Sequence, residues 1–251
     1  MSDGWLLADW QAPAAVRALV TTRAGGCSAG SYAGLNLATH VGDAPESVAD
    51  NRRRLRLGNL PLPADPLWLE QVHGTRVVES AQYRADDQAD ACIARTPGRV
   101  CAVLSADCLP LLFCADDASL VAAAHAGWRG LSAGMIEACV AAMGIPPARL
   151  LVWLGPAIGP RAYEVGDEVH AVFCQQDAGA QQAFAPHGPG KWLCDLYQLA
   201  RQRLSALGVQ RVSGGEHCTF SDPRRFYSYR RDGVTGRMAS CIWLESGALD
   251  V

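Results

Sequence analysis

VCAVLSADCLPLLF, residues 100–113, is apolar except near its middle, where Ser105, Asp107 and Cys108 stand close together. The flanks read as two short buried strands, 100–105 and 109–115, and a third apolar strand follows at 120–125. Further strands are expected at 16–22, 150–154, 209–213 and 239–244, with a pair at 67–73 and 76–80 turning at Gly74. Helices are expected at 46–57, with Val48 and Leu55 inward and the arginines at 52–54 mostly outward, at 130–143, and at 167–174. Another is expected over 196–207, capped by Asp195 and stopped by Gly208. Strands outnumber helices and do not alternate with them regularly. That pattern predicts an α+β fold, a layered sandwich of mixed β-sheets flanked by helices in a single domain, 1–251, rather than a doubly wound sheet.

Composition narrows the class of function. The chain has 251 residues, 49% of them hydrophobic and 19% charged, which suits a globular protein with a sizeable core. A net charge of −3 offers no general attraction to nucleic acid or to an anionic membrane. The opening MSDGWLLADWQAP lacks the basic and apolar regions of an export signal, and no apolar run reaches the roughly 18–20 residues of a membrane helix. A soluble cytoplasmic protein is therefore expected. Its ten cysteines then belong to a reducing compartment, and Cys101, Cys114, Cys139 and Cys241 fit the role of small core residues. There is no CxxC pair, no GxGxxG and no P-loop, and Lys191 is the sole lysine.

Three ligand-type residues are expected at or just beyond strand ends: His73 in LEQVHG, Cys108 in SADCLP and His125 in AAAHAG. Imidazole, thiolate and imidazole form a ligand set for Zn²⁺ that leaves a fourth position open, the pattern of a catalytic site. Taken singly, each histidine also reads as a hydrogen-bonded core or surface residue, and Cys108 as packing. Their spacing matches no local metal motif.

A wider set of motifs points one way. TTRAGG, GLNLATHVGD, LEQVHG, DACIA, SADCLP, AAAHAGWRG, GPAIGPRAYEVG and YSYRRDGVTGRMAS, in this order over nearly the whole chain, resemble the bacterial laccase-domain, or "multicopper polyphenol oxidase", family of purine nucleoside phosphorylases. The resemblance places metal ligands on His73, Cys108 and His125. It implies phosphorolysis of adenosine, inosine and methylthioadenosine, with some adenosine deamination. Copper oxidase chemistry is not expected, because blue and trinuclear copper centres need about ten histidines and the chain has six, with no HxH pair.

Phosphorolysis would need guanidinium groups to hold inorganic phosphate. Arg23, Arg129 and Arg230 are the candidates, and Arg129 is also assigned a catalytic role. Asn36 is a candidate for a ribose hydroxyl or for orienting its loop. Adjacent strand residues face opposite ways, so Asp107 faces away from Cys108 if the strand is regular. If the turn before Pro110 breaks the pleat, both enter the site, and Asp107 donates or accepts a proton or steadies the ligands. That second arrangement is the expected one, since a buried carboxylate needs a partner. The rival reading is a metal-free cysteine hydrolase, with Cys108 as nucleophile and His125 or His73 as its base. Base preference and oligomeric state are not legible.

Overall fold

The computed structural model describes residues 4–85 and 87–246; residues 1–3, 86 and 247–251 of the span expected as one domain lie outside it. The strands are β1 (Leu6–Leu7), β2 (Val16–Val20), β3 (Val77–Glu79), β4 (Ala91–Ala94), β5 (Cys101–Ser105), β6 (Leu109–Ala115) and β7 (Val121–Ala126). They continue as β8 (Leu150–Leu154), β9 (Glu164–Gly166), β10 (Phe184–Pro186), β11 (Lys191–Cys194), β12 (Arg211–Gly214) and β13 (Met238–Leu244). The helices are α1 (Pro45–Leu57), α2 (Trp128–Ala133), α3 (Met135–Met143), α4 (Asp167–Gln176), α5 (Leu196–Ala206) and α6 (Tyr229–Asp232).

The opening stretch supplies the heart of a two-sheet sandwich. β5 is an outer strand of a four-stranded antiparallel sheet, ordered β1-β2-β13-β5. β6 is central in a six-stranded mixed sheet, ordered β12-β8-β6-β7-β4-β3. Only β12–β8 and β3–β4 pair in parallel there. A third small sheet, β10-β11-β9, lies beside them in the chain order of the second half.

The run of apolar residues is explained by layers on both sides. Cys101 and Val103 of β5 and Met238 and Ile242 of β13 pack with Leu112, Cys114, Val121 and Ala123 between the sheets. Leu109, Leu111 and Phe113 face the other way and pack with Met135 and Ile136 of α3 and Leu199 and Leu204 of α5. Leu104, Cys241 and Trp243 face outward from the four-stranded sheet against Leu55 of α1, Leu35 and Leu37. Strands covered on both faces need no polar alternation. The result is the α+β layered sandwich, helices outside and two sheets within.

Three local expectations need correction. Residues 67–73 do not form a hairpin with 76–80. They make isolated bridges at Leu67 and Glu70, and β3 pairs with β4 instead. The loop holding His73 is wound around a buried carboxylate, as described below. The helix expected over 130–143 is two helices, broken at Gly134 in the left-handed conformation (φ 97°). Among the 52–54 arginines, Arg52 is not a simple outward residue. Its guanidinium carbon lies 4.2 Å from the Trp68 ring centre and its Nε donates to the Leu37 carbonyl. The α5 cap is as expected: the Asp195 carboxylate accepts the Gln198 N–H at 3.0 Å. Among the described residues, no helix is long and apolar enough to cross a membrane.

Candidate active site

The turn between β5 and β6 delivers the first site residues. Asp107 has φ 90°, which breaks the pleat, so Asp107 and Cys108 both line one cavity instead of facing opposite ways. A non-glycine residue in this region is held there by its surroundings. Here the Asp107 carboxylate accepts hydrogen bonds from the hydroxyls of Thr219 (2.6 Å) and Ser228 (3.0 Å) and from the Arg230 N–H (2.6 Å). Asp107 thus ties the segments carrying Thr219 and Arg230 to the cavity wall.

His125 lies on β7 opposite Pro110 of β6 and is 3% exposed. His73 sits in a loop, not at a strand end, with φ 59°. What holds it is Asp90, which leads into β4 and is fully buried. Its carboxylate accepts the backbone N–H groups of Val72 (3.2 Å), His73 (3.0 Å) and Gly74 (2.7 Å). The same carboxylate lies 2.8 Å from His125 Nδ1, so one buried acid positions both histidines. Burial works against its charge, but these partners hold Asp90 below the usual carboxylate range. Sequence reading passed over Asp90, although an acid opening the apolar run DACIA was a visible signal.

The ligand-type atoms of His73, Cys108 and His125 all lie within 4.8 Å of one another. Cys108 Sγ is 3.8 Å from His73 Nε2. The two imidazole rings meet edge to face, with centres 4.8 Å apart. Burial disfavours the Cys108 thiolate, but the charge and hydrogen bonds of His125 and His73 outweigh it and bring the thiol down to about 6. Burial likewise disfavours the His125 imidazolium, yet Cys108 and Asp90 raise it to about 9. Gly127 makes room for the cluster, since a Cβ there would stand 2.8 Å from Cys108 Sγ and 3.0 Å from His73 Cδ2.

The donor set fits a metal of zinc's character. Two imidazoles and a thiolate match its preference for N and S ligands, and the Asp90 bond to His125 Nδ1 leaves the other ring nitrogen for an ion. The same three residues with Asp90 also have the order of a thiol nucleophile, its base and an orienting acid.

The cavity measures about 450 Å³, enough for a small-molecule ligand. Of the arginines read from sequence, it includes Arg129 and Arg230, both exposed. Arg129 lies against the Trp128 ring at 4.6 Å, and Arg230 Nη1 donates to the Glu164 carbonyl at 2.6 Å. Arg23 and Asn36 are not among its lining residues. Arg23 donates to the carbonyls of Ala33 (3.2 Å) and Pro223 (3.0 Å), and its guanidinium carbon lies 4.9 Å from the Tyr227 ring centre. Asn36 is fully buried and bonds Ala38, Asp43 and the Arg237 N–H, which is loop-holding work. Arg237 also lines the cavity, and no sequence signal had singled it out.

Fold and site together define a two-sheet α+β sandwich with a His–Cys–His donor cluster in a cavity at its strand ends. The chain belongs to the family described as multi-copper polyphenol oxidoreductase laccase, whose model matches residues 17–245. It is 54% identical to a purine nucleoside phosphorylase of Pseudomonas aeruginosa, over 97% of this chain and 99% of that one. It is 52% identical to the purine nucleoside phosphorylase YfiH of Escherichia coli, over 95% of this chain and 98% of the other. A crystal structure of the Neisseria meningitidis protein NMB0706 superposes with a TM-score of 0.92 at 50% identity, covering 97% of this chain and all of that one (100%).

Proposed function

We propose that the chain is a purine nucleoside phosphorylase that uses inorganic phosphate to release the base from adenosine, inosine or methylthioadenosine, with adenosine deamination as a side activity. The observation that carries this reading is one cavity in which the His73–Cys108–His125 cluster meets three guanidinium groups, Arg129, Arg230 and Arg237. The name borne by relatives more than half identical supports it. Zinc held by His73, Cys108 and His125 would supply a Lewis acid with an open position. The chain's own part is to bind and orient. The arginines attract the phosphate dianion, Trp128 and Tyr163 offer flat faces for a purine, and Asp107 keeps the Arg230 backbone at the wall. Phosphate attack at C1′ of the sugar breaks the glycosidic bond, the departing purine takes up a proton, and the products are the base and ribose 1-phosphate, or 5-methylthioribose 1-phosphate from methylthioadenosine.

A specific observation favours a second reading, the metal-free cysteine hydrolase. Asp90 bonded to His125, with the Cys108 thiol lowered beside it, is a charged thiolate–imidazolium pair with its orienting acid. Judged on these side chains alone, this reading fits better, since it needs nothing beyond the chain. The arginines and the relatives favour phosphorolysis. Chromatography of adenosine and inosine reactions, with and without phosphate and before and after chelation, separates the two. Phosphorolysis predicts base and ribose 1-phosphate only with phosphate, and loss of activity on chelation. Arg129→Ala should lower catalytic efficiency roughly ten- to a hundredfold, as expected for one charge-assisted contact. Base release that ignores both phosphate and chelation would establish the hydrolase.

A further inference from the structure

One guanidinium on the cavity wall, that of Arg237, forms no ion pair with a carboxylate among the described residues. Arg237 precedes β13 and is the least exposed of the three cavity arginines. Its Nη1 donates to the carbonyls of Thr235 (2.8 Å) and Gly236 (3.0 Å), which fixes the guanidinium plane. Its Nε and Nη2 donate to no acceptor among the described residues, and no carboxylate there forms an ion pair with it. Cys108 and, after it, Asp107 act on it only through space, the Asp107 carboxylate being taken up by Thr219, Ser228 and the Arg230 N–H. Burial pushes the Arg237 guanidinium below its ordinary value, but a guanidinium stays protonated, so its desolvation is only partly compensated. Its field reaches His40 on the same wall, which burial, Arg237 and Arg52 push down.

A second observation coincides with it. Ser105 lines the same cavity, is 3% exposed, and its Oγ has no hydrogen-bond partner among the described residues. It ends β5 and pairs with Met238, the residue after Arg237, so the two lining residues lie on neighbouring stretches of backbone. A buried hydroxyl without a partner is costly unless a ligand supplies one. The free Nε–Nη2 edge of a guanidinium matches two oxygens of a tetrahedral oxyanion, and a hydroxyl can meet a third.

We propose that Arg237 and the Ser105 hydroxyl form the anion subsite of this cavity and take inorganic phosphate. That the phosphate is a nucleophile rests on the phosphorolysis reading; that it binds here does not. Arg129 and Arg230, exposed and already packed on Trp128 or bonded to Glu164, stand toward the mouth and attract the anion.

Two measurements test this. The first is thermal stabilisation of the purified protein by inorganic phosphate at constant ionic strength. The wild type should be stabilised, and Arg237→Gln should need roughly ten- to a hundredfold more phosphate. Ser105→Ala should melt no lower than wild type without phosphate, because it removes an unpartnered hydroxyl, yet should bind phosphate several-fold more weakly. If Arg237→Gln does not fold, Arg237→Lys decides: it keeps the charge, loses the two-pronged edge, and should still lose roughly tenfold in affinity. The second is steady-state kinetics with inosine, where the rise should fall on KM for phosphate and leave KM for inosine within about twofold. No stabilisation of the wild type, unchanged phosphate affinity in the Arg237 variants, or a change confined to KM for inosine would each overturn the assignment. Phosphate binding that depends on Arg237 without phosphate-dependent product would uphold the subsite and sink phosphorolysis.

Discussion

His73 and Cys108 at the site can be set against His170 and Cys174 on α4. His170 Nε2 lies 3.4 Å from Cys174 Sγ, closer than the 3.8 Å between His73 Nε2 and Cys108 Sγ. The thiols nevertheless go opposite ways. Burial and the nearby Asp177 raise Cys174, whereas Cys108 comes down to about 6. The difference lies in what stands around the imidazoles. His170 bonds the neutral amide of Gln181 at 2.7 Å and stacks on Trp192 with ring centres 3.9 Å apart. His125 is kept charged first by Cys108 itself and then by the buried Asp90 carboxylate behind it, and His73 adds a second imidazole. An imidazole in contact with a thiol is therefore not enough to create a thiolate. Two imidazoles, one of them backed by a buried acid, are what the Cys108 site adds.

The largest effect should come from removing that acid. Asp90→Ala would leave three backbone N–H groups and a buried histidine without their acceptor, and should destabilise the protein by about 3–5 kcal/mol. Urea unfolding measures this, and metal analysis of the folded fraction should show the site emptied. A variant with wild-type stability and metal content would break the comparison at its root.

The thiols themselves offer a sharper test. In chelated protein, Cys108 should alkylate with a midpoint near pH 6. Its folded value is depressed, so thiolate is present above that pH and lost as pH falls through it. Cys174 should react only above the ordinary thiol range, near pH 8.5. At pH 7, iodoacetamide labelling followed by peptide mass spectrometry should favour Cys108 by roughly tenfold. Asp90→Asn should move the Cys108 midpoint upward and leave Cys174 unchanged; equal movement of both would mean that the acid is not the cause.

The smallest effect belongs to the α4 pair. His170→Ala should remove a ring stack worth about 0.5–1.5 kcal/mol and leave nucleoside turnover at the wild-type rate. Calorimetry and the activity assay check it, and a large loss of turnover would show that the two histidine–cysteine regions are coupled.

Much was legible in the residues. The apolar runs around SADCLP and AAAHAG foretold short buried strands, and the structure covers them on both faces. The motif order foretold the family, and the resemblance implied that His73, Cys108 and His125 come together, as they do. The register of 67–73 was not legible. Its apolar start resembles a strand, but Asp90 draws three consecutive N–H groups out of any ladder. Arg23 illustrates the same limit: beside glycines it read as an anion holder, yet backbone carbonyls and Tyr227 occupy it.

The sequence by itself determined the composition of the layers, because burial pattern is a local property, and the order of its motifs determined the family. Only the tertiary structure decided that Asp90 serves both histidines, which groups hold Asp107 at the cavity, and that Arg237 rather than Arg23 lines it. Those outcomes depend on distances between residues far apart in the chain. A buried charge takes its partner from whatever the packed sheets bring within hydrogen-bond reach.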